Sequence, residues 1–325
     1  MNLSQAAVIG VDVGGTGIKG GLFTTAGAVI RTARAVSPVA GGESLISATD
    51  SQVTYLQNAA AAAGYEVAAV GVIAPGIVDH NRGRVLYAAN LNWTDVPLGE
   101  RLRRTAGVPV AVGHDVRGAS LAEQLVGGAR GVDNFVLVAL GTGISCSIVL
   151  DGVQLKGFTG SAGELGHVPA VPGGEPCRCG QQGCLEVYAS AAGIVRRYGN
   201  HGGSPGVTAE QVAALVDSDG LARQIWDDAT EALGLALTEL VLLMDPELLL
   251  LGGGLSGAGE QLLEPVSATV TSHLRWRSAP RIELSPLGGE GGMLGAAILA
   301  MRSAGLEGEL GGWYTQRLTP AQPAL

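Results

Sequence analysis

The chain has 325 residues, with 20 Lys and Arg against 29 Asp and Glu for a formal charge of −9, and 52 of its residues are glycine. A chain of this length buries a large core, as two domains or one big one, and needs no staple to fold. The acidic balance and a charged fraction of only 15% exclude an overall field that would gather nucleic acid or anionic membrane. The short basic runs at 101–104 and 275–281 read as solvated faces.

Met1 leads into the apolar run 6–11 with no basic segment or long hydrophobic core between them, so no secretory signal is expected and the protein is expected in the cytoplasm. The longest apolar region, 233–251, is interrupted by Glu239, Asp245, Pro246 and Glu247, which argues against a membrane span. Four cysteines, three of them at 177, 179 and 184, point in a reducing compartment to metal or chemistry and away from disulfides.

In chain order, AVIGVDV, the glycine turn GGTGIKG and GLFT read as strand, turn, strand, followed by a further strand at 28–36. An Ala-rich helix is predicted over 43–63, ending at Gly64, then a strand at 67–73 and a turn at Pro75-Gly76. A loop holds Asn90 to Trp93, an amphipathic stretch covers 98–106, and a buried strand at 108–115 delivers His114 and Asp115 to a loop. FVLVALGTG at 135–143 then repeats the theme of AVIGVDVGGTG, and strand pairs follow to 155. A helix at 221–243 and the strand PELLLLGGG complete the pattern. Two strand-to-glycine-turn units half a chain apart predict a duplicated α/β fold with a cleft between the copies. The tail from Gly305, rich in Gly and Pro, is predicted to be loosely held.

Gly15, Gly17 and Gly20 fit the GxGxxG spacing, yet the chain continues as a strand and offers no Asp or Glu from 13 to 42. A dinucleotide site needs a helix at that turn and an acidic residue about 20 positions on. The only lysines, Lys19 and Lys156, lie outside any GK[ST] context, so a Walker A loop fails too. What remains is a set of glycine turns at strand ends, where backbone N–H groups can approach phosphate oxygens. Asp12, at the mouth of the first turn, would stand near a phosphate-bound Mg²⁺.

Three thiolates in a C-x-C-x4-C spacing, joined by one imidazole, would make a closed tetrahedral zinc site with no open position for water. Among carboxylates in loops, Asp115 competes with Asp79, Asp95 and Asp133 for the role of base, and a helix N-cap is another ordinary use for it.

The stretches DVGGTGIKGGLF, ALGTGIS, ELGHVP, CRCGQQGCLEVYAS and LLLGGGLS resemble the ROK family of bacterial sugar kinases and sugar-responsive repressors, which belongs to the hexokinase, actin and heat-shock ATPase superfamily. The likeness runs from about 8 to 299, and NLNWTDVPL is most similar to the actinobacterial glucokinase branch. The resemblance implies two ribonuclease-H-like α/β domains flanking a cleft: a small one of 1–118 with the returning segment 306–325, and a large one of 119–305 with a structural zinc. It implies that 12–19 (Asp12, Gly14, Gly15, Thr16, Lys19) and Gly141, Thr142 and Gly143 hold the phosphates of MgATP, with Gly252, Gly253 and Gly254 on the adenosine side. It makes His167 the fourth zinc ligand beside Cys177, Cys179 and Cys184, with its other ring nitrogen free for a sugar hydroxyl. Asp115 aligns with the family's catalytic base, and Glu164, His167 and Glu186, with Asn90 and the Gly76 backbone, read the hexose. His80, His201 and His273 are expected to be exposed, and Cys146 to be a small residue beside the phosphate loop.

Two departures stand out. His114 occupies a position where the family has Asn, and Arg117 one where relatives carry small or amide residues. Asn offers a carbonyl and an amide to ring hydroxyls, whereas neutral His offers one donor and one acceptor in a bulkier plane. A hexose altered at C3, such as 3-amino-3-deoxyglucose (kanosamine), is therefore a candidate substrate beside glucose. Ser145, Cys146 and Ser147 also replace the glycines usual after GTG. The expected activity is ATP-dependent phosphorylation of a hexose 6-hydroxyl, in a dimer or tetramer, with no nucleic-acid or membrane partner. The alternative is a catalytically weak sugar sensor. A repressor would need a helix-turn-helix of about 60 to 80 residues before the first phosphate turn, where 11 residues precede Asp12.

Overall fold

The computed structural model describes residues 5–315. Two compact units emerge, one of Met1–Arg130, Phe158–Ser161 and Glu290–Leu325, the other of Gly131–Gly157 and Ala162–Gly289.

In the first unit β1 (Ala6–Val13), β2 (Gly17–Thr24) and β3 (Val29–Val36) form an antiparallel meander, α1 (Gly42–Ala62) follows, and β4 (Glu66–Ala74) pairs parallel with β1. α1 stops where the alanine run meets Gly64, which adopts φ +77° and ends the helix in the left-handed region. β5 (Ile77–Asp79), β6 (Arg84–Ala88) and β7 (Trp93–Val96) make a separate small antiparallel sheet. α2 (Leu98–Ala106), β8 (Val110–His114), parallel to β4, and α3 (Asp115–Val126) complete this part. The sheet order is β3-β2-β1-β4-β8.

β1 is buried along almost its whole length because both of its faces are covered, which is why it reads as a continuous apolar run. Ile9 and Val11 join a core with Leu45, Val53 and Leu56 of α1. Gly10 between them faces α9 (Gly291–Ser303), and a Cβ there would run into the helix backbone at Met293.

In the second unit β9 (Phe135–Leu140), β10 (Ile144–Leu150) and β11 (Val153–Gln154) form another antiparallel meander. α4 (Leu185–Ala189), α5 (Ala191–Asn200), α6 (Ala209–Ala214) and α7 (Gly220–Met244) precede β12 (Leu248–Gly252), which pairs parallel with β9; α8 (Glu260–His273) and β13 (Arg281–Leu284) follow. The order β11-β10-β9-β12-β13 repeats that of the first sheet strand for strand. α7 starts where the Asp219 carboxylate accepts the N–H groups of Leu221 and Ala222, and it ends at Asp245 in a left-handed turn just before Pro246.

Four expectations need correction. The first unit extends to Arg130 and reclaims 290–305, because α3 packs on α9 and both belong with the first sheet. The expected loop at 90–93 ends one residue sooner, since Trp93 opens β7, and β5 and β6 precede it unannounced; β5 has only three residues, and Asp95 in β7 takes φ +50°, so no alternating pattern reveals these strands. The segment Glu307–Thr315 is held, not loose: Trp313 is 3% exposed, stacks on Phe23 and donates its indole N–H to the Thr25 carbonyl at 2.9 Å. The rest of the expected returning segment, 316–325, lies outside the described residues. Finally, His80 is half-buried, whereas His201 and His273 are exposed as expected. No helix among the described residues is long and apolar enough to cross a membrane.

Candidate active site and candidate metal centre

The end of β1 and the start of β2 place Asp12 directly across from Lys19 in the strand register. The turn between them is closed by the Gly14 N–H donating to the Gly17 carbonyl at 2.9 Å, and Ser37 donates its hydroxyl to the Gly14 carbonyl at 2.6 Å. Gly15 and Thr16 at its tip are exposed, and Asn90 lies beside Gly15. Gly76, at φ +96°, has no room for a side chain against the Tyr87 carbonyl. Asp12 neighbours three charged groups. Burial first, then the nearby Asp115 carboxylate and Glu290, push its carboxyl from 3.8 up to about 7, with Lys19 pulling the other way. A cluster of carboxylates of this kind is the hard-oxygen donor set that a divalent cation such as Mg²⁺ takes.

Asp115 is the first residue of α3 instead of a loop residue, because β8 runs straight into the helix at His114. Its Oδ1 accepts the Val116 N–H at 2.7 Å, and His114 Nδ1 stands 3.1 Å from the same oxygen, without hydrogen-bond geometry. The His114 ring is buried, and this desolvation lowers its pKa below the usual 6.5, with Asp115 opposing and Arg117 reinforcing the shift. It is therefore the neutral imidazole at neutral pH, one donor and one acceptor. Arg117, buried on α3, donates from Nη1 to the Gly160 carbonyl at 3.0 Å.

The second unit gathers the other groups. The Gly141-Thr142-Gly143 turn closes by the Gly141 N–H donating to the Gly143 carbonyl at 3.0 Å. Glu186 of α4 lies against it: Oε2 accepts the Ile144 N–H at 3.1 Å, and any Cβ at Gly143 would meet that carboxylate. Gly253, at φ +87°, sits directly on the Leu140 backbone, so the 252–254 turn adjoins the 141–143 turn. Glu164 is exposed at the start of a short 3-10 turn, Leu165–His167, that rests on the first residue of β10 through Gly166. Cys146 is buried in β10, where burial pushes its thiol up to about 12, an inert packing residue and no ligand.

His167, Cys177, Cys179 and Cys184 bring one ligand atom each to within 4.8 Å of one another. Cys177 Sγ is 3.9 Å from His167 Nδ1, and Cys179 Sγ is 3.6 Å from Cys184 Sγ. Zinc–sulfur bonds of about 2.3 Å give a tetrahedron with edges of roughly 3.7 Å, so the four donors fit that ion. With Nδ1 turned to the thiols, His167 Nε2 is the nitrogen left for another partner.

Two residues beside Asp12 were missed from sequence: Glu290, which raises the Asp12 carboxyl, and Gly292, whose absent side chain makes room for the Asp12 carboxylate. The signal lay in LGGEGGMLGAA at 287–297, a further glycine-rich stretch that opens a helix and carries a single acidic residue.

The ROK family description matches residues 8–303. The chain belongs to the ROK family. Its sequence is 34% identical over 322 residues to a glucokinase of Halalkalibacterium halodurans, covering 91% of this chain and 96% of that one. It is also 34% identical over 312 residues to a glucokinase of Streptomyces coelicolor, covering 90% and 96%. A crystal structure of a ROK family glucokinase from Streptomyces griseus, in complex with glucose and AMPPNP, superposes with a TM-score of 0.82 at 32% identity, covering 91% of this ROK chain and 99% of that one.

Proposed function

We propose that this ROK protein is an ATP-dependent hexose kinase that transfers the γ-phosphoryl group of ATP to the 6-hydroxyl of glucose or of a glucose-like amino hexose such as kanosamine. The observation that carries the reading is the carboxylate of Asp115 at the head of α3, in the company of Asp12 at the mouth of the first glycine turn, in a chain whose relatives include glucokinases.

Phosphoryl transfer to an alcohol asks little covalent chemistry of a protein; it asks for an aimed hydroxyl, a proton acceptor and donors for the phosphates. The Val116 N–H and the His114 ring both adjoin Oδ1 of Asp115, so Oδ2 is the oxygen that takes the proton of the 6-hydroxyl. The N–H groups of the 14–16 and 141–143 turns bind the phosphate oxygens, and Lys19 adds a positive charge beside Asp12. Asp12 would hold the magnesium ion that arrives with ATP, which would supply charge neutralisation on the phosphates. Glu164, Glu186 and Nε2 of His167 accept from or donate to ring hydroxyls; Cys177, Cys179, Cys184 and Nδ1 of His167 would hold a zinc ion, which would fix the His167 ring in one orientation. His114 reads the sugar edge that the family's Asn would read, and its neutral, bulkier ring opens the reading to an amino group at C3.

The test is an ADP-release assay with MgATP over glucose, kanosamine, mannose, N-acetylglucosamine and N-acetylmannosamine, beside Asp115→Ala. Glucose with the highest kcat/KM assigns a glucokinase that tolerates His114. An amino sugar ahead by more than about tenfold, ~1.4 kcal/mol of transition-state discrimination, makes His114 and Arg117 specificity residues. Absence of any sugar-dependent turnover overturns the kinase reading in favour of a sugar-binding protein.

A further inference from the structure

A dense polar cluster in the second unit lies outside the groups assigned to the reaction and centres on Arg197 of α5, whose side chain is 8% exposed. Its Nε donates to Oε1 of Glu175 at 2.8 Å and its Nη2 to Oδ2 of Asp228 at 2.8 Å, while the guanidinium carbon sits 4.7 Å from the centre of the Tyr188 ring. The Tyr188 hydroxyl in turn accepts the backbone N–H of Glu175 at 2.7 Å. One guanidinium therefore ties together three pieces of chain. Glu175 stands two residues before Cys177, Tyr188 two residues after Glu186 on α4, and Asp228 on α7.

Such a cluster is weak evidence for stability, because well-packed apolar side chains of similar volume commonly do as well. Here it is also incompletely satisfied: Nη1 of Arg197 is buried without a hydrogen-bond partner. What a planar fork supplies that apolar packing lacks is direction, since two fixed hydrogen bonds and a stacked ring leave one orientation between the groups they join.

We propose that Arg197 is a positioning residue that sets the zinc knuckle against the helix carrying Glu186. The metal-held ring of His167 and the Glu186 carboxylate then keep a single mutual geometry for reading a polyol. The sugar part of this inference rests on the hexose-kinase reading; the zinc part stands without it.

The experiment uses the full-length, zinc-loaded protein as wild type, Arg197→Met, Glu175→Gln and a control, Val270→Ala, which lowers Tm from a buried site in α8. Two quantities are read at a temperature where all remain folded: the rate of zinc transfer to a chromogenic chelator, and the KM values for sugar and MgATP. Arg197→Met and Glu175→Gln are expected to release zinc about tenfold faster or more, the usual size of an effect exerted from behind the ligands. Sugar KM is expected to rise by a similar factor with the KM for MgATP unchanged, while Val270→Ala alters neither. Wild-type zinc release in both variants, or equal changes in Val270→Ala, overturns the proposal. Should Arg197→Met not fold, Glu175→Gln decides, since it keeps the side-chain shape while removing the charge and one of the two oxygens that accept from Arg197 and Arg196. A wild type without sugar-dependent turnover would sink the kinase reading and leave the zinc rates to decide this one.

Discussion

Asp115 occupies a position where a carboxylate is useful twice, because the first turn of a helix also favours negative charge by a few tenths to about 1 kcal/mol. The two roles separate in Asp115→Asn, which keeps the side-chain oxygen that accepts the Val116 N–H and loses only the proton acceptor. We expect kcat to fall by about 10² to 10⁴ with sugar KM within a few-fold and Tm nearly unchanged; a large Tm loss would mark the residue as structural. His114→Asn restores the family's amide and should move the ratio of kcat/KM for glucose over kanosamine toward glucose by about tenfold or more, a single ring contact being worth ~1 to 3 kcal/mol. An unchanged ratio removes His114 from specificity.

Asp12 makes a pH prediction. Its folded pKa of about 7 lies above the unfolded 3.8, so the native state keeps a proton that the unfolded chain gives up, and this contribution to stability falls as pH rises from about 4 to about 7. In protein free of nucleotide and magnesium, Asp12→Asn should raise Tm relative to wild type at pH 8 and raise it less at pH 5. A pH-independent difference between the two proteins would show that the Asp12 carboxyl is not raised.

At the scale of elements, the close seating of α9 is the feature with the sharpest consequence. Its Gly295 meets the backbone of Gly118 in α3, where a Cβ would collide with the Gly118 carbonyl oxygen. Since α3 begins with Asp115 and α9 begins beside Asp12, the two helices that meet there each carry one of the site's carboxylates or its neighbour. Gly295→Ala should therefore destabilise by about 1 to 3 kcal/mol or more, as overpacking does, read as a lower denaturant midpoint at constant m-value. A midpoint equal to wild type would mean that α9 can slide without cost.

Elements of this kind separate what the chain's pattern reveals from what it conceals. The strands flanking the glycine turns, α1 and α7 are legible, because buried apolar runs and Ala-rich periodicity stop at Gly64 and Asp245 with recognisable end signals. The cysteine spacing is legible because few other arrangements bring three thiols so close. β5 to β7 are not, being three to five residues long. Nor is the role of Arg197, which depends on Glu175 and Asp228, residues that lie 22 and 31 positions away with no periodic relation to it. Glu290 and Gly292 were hidden for the same reason: contact with Asp12 is made only when α9 returns to β1.

For the molecule as a whole, the repeated strand order of the two sheets hides an asymmetry in how each unit is completed. The second sheet is finished within a nearly continuous stretch, Gly131–Gly157 and Ala162–Gly289. The first needs chain from far beyond it, since α9 covers β1 and β4, and Gly71 of β4 leaves no room for a Cβ against Ala296 just as Gly10 leaves none against Met293. Met293, Leu294, Ala297, Ile298 and Met301 are all buried, and farther along Trp313 closes over Phe23. A fragment ending at Arg130 would expose that face of the sheet to water and forfeit the roughly 25 cal/mol per Å² that its burial contributes. Expressed alone, residues 1–130 should lack a cooperative thermal transition and bind a hydrophobic dye, whereas a circularly permuted chain in which 290–315 precedes residue 5 through a flexible linker, ending at 130, should recover a cooperative transition. Cooperative unfolding of the 1–130 fragment by itself would show that α9 decorates the first unit and does not complete it, and the placing of Asp12 and Asp115 by α9 would fall with that result.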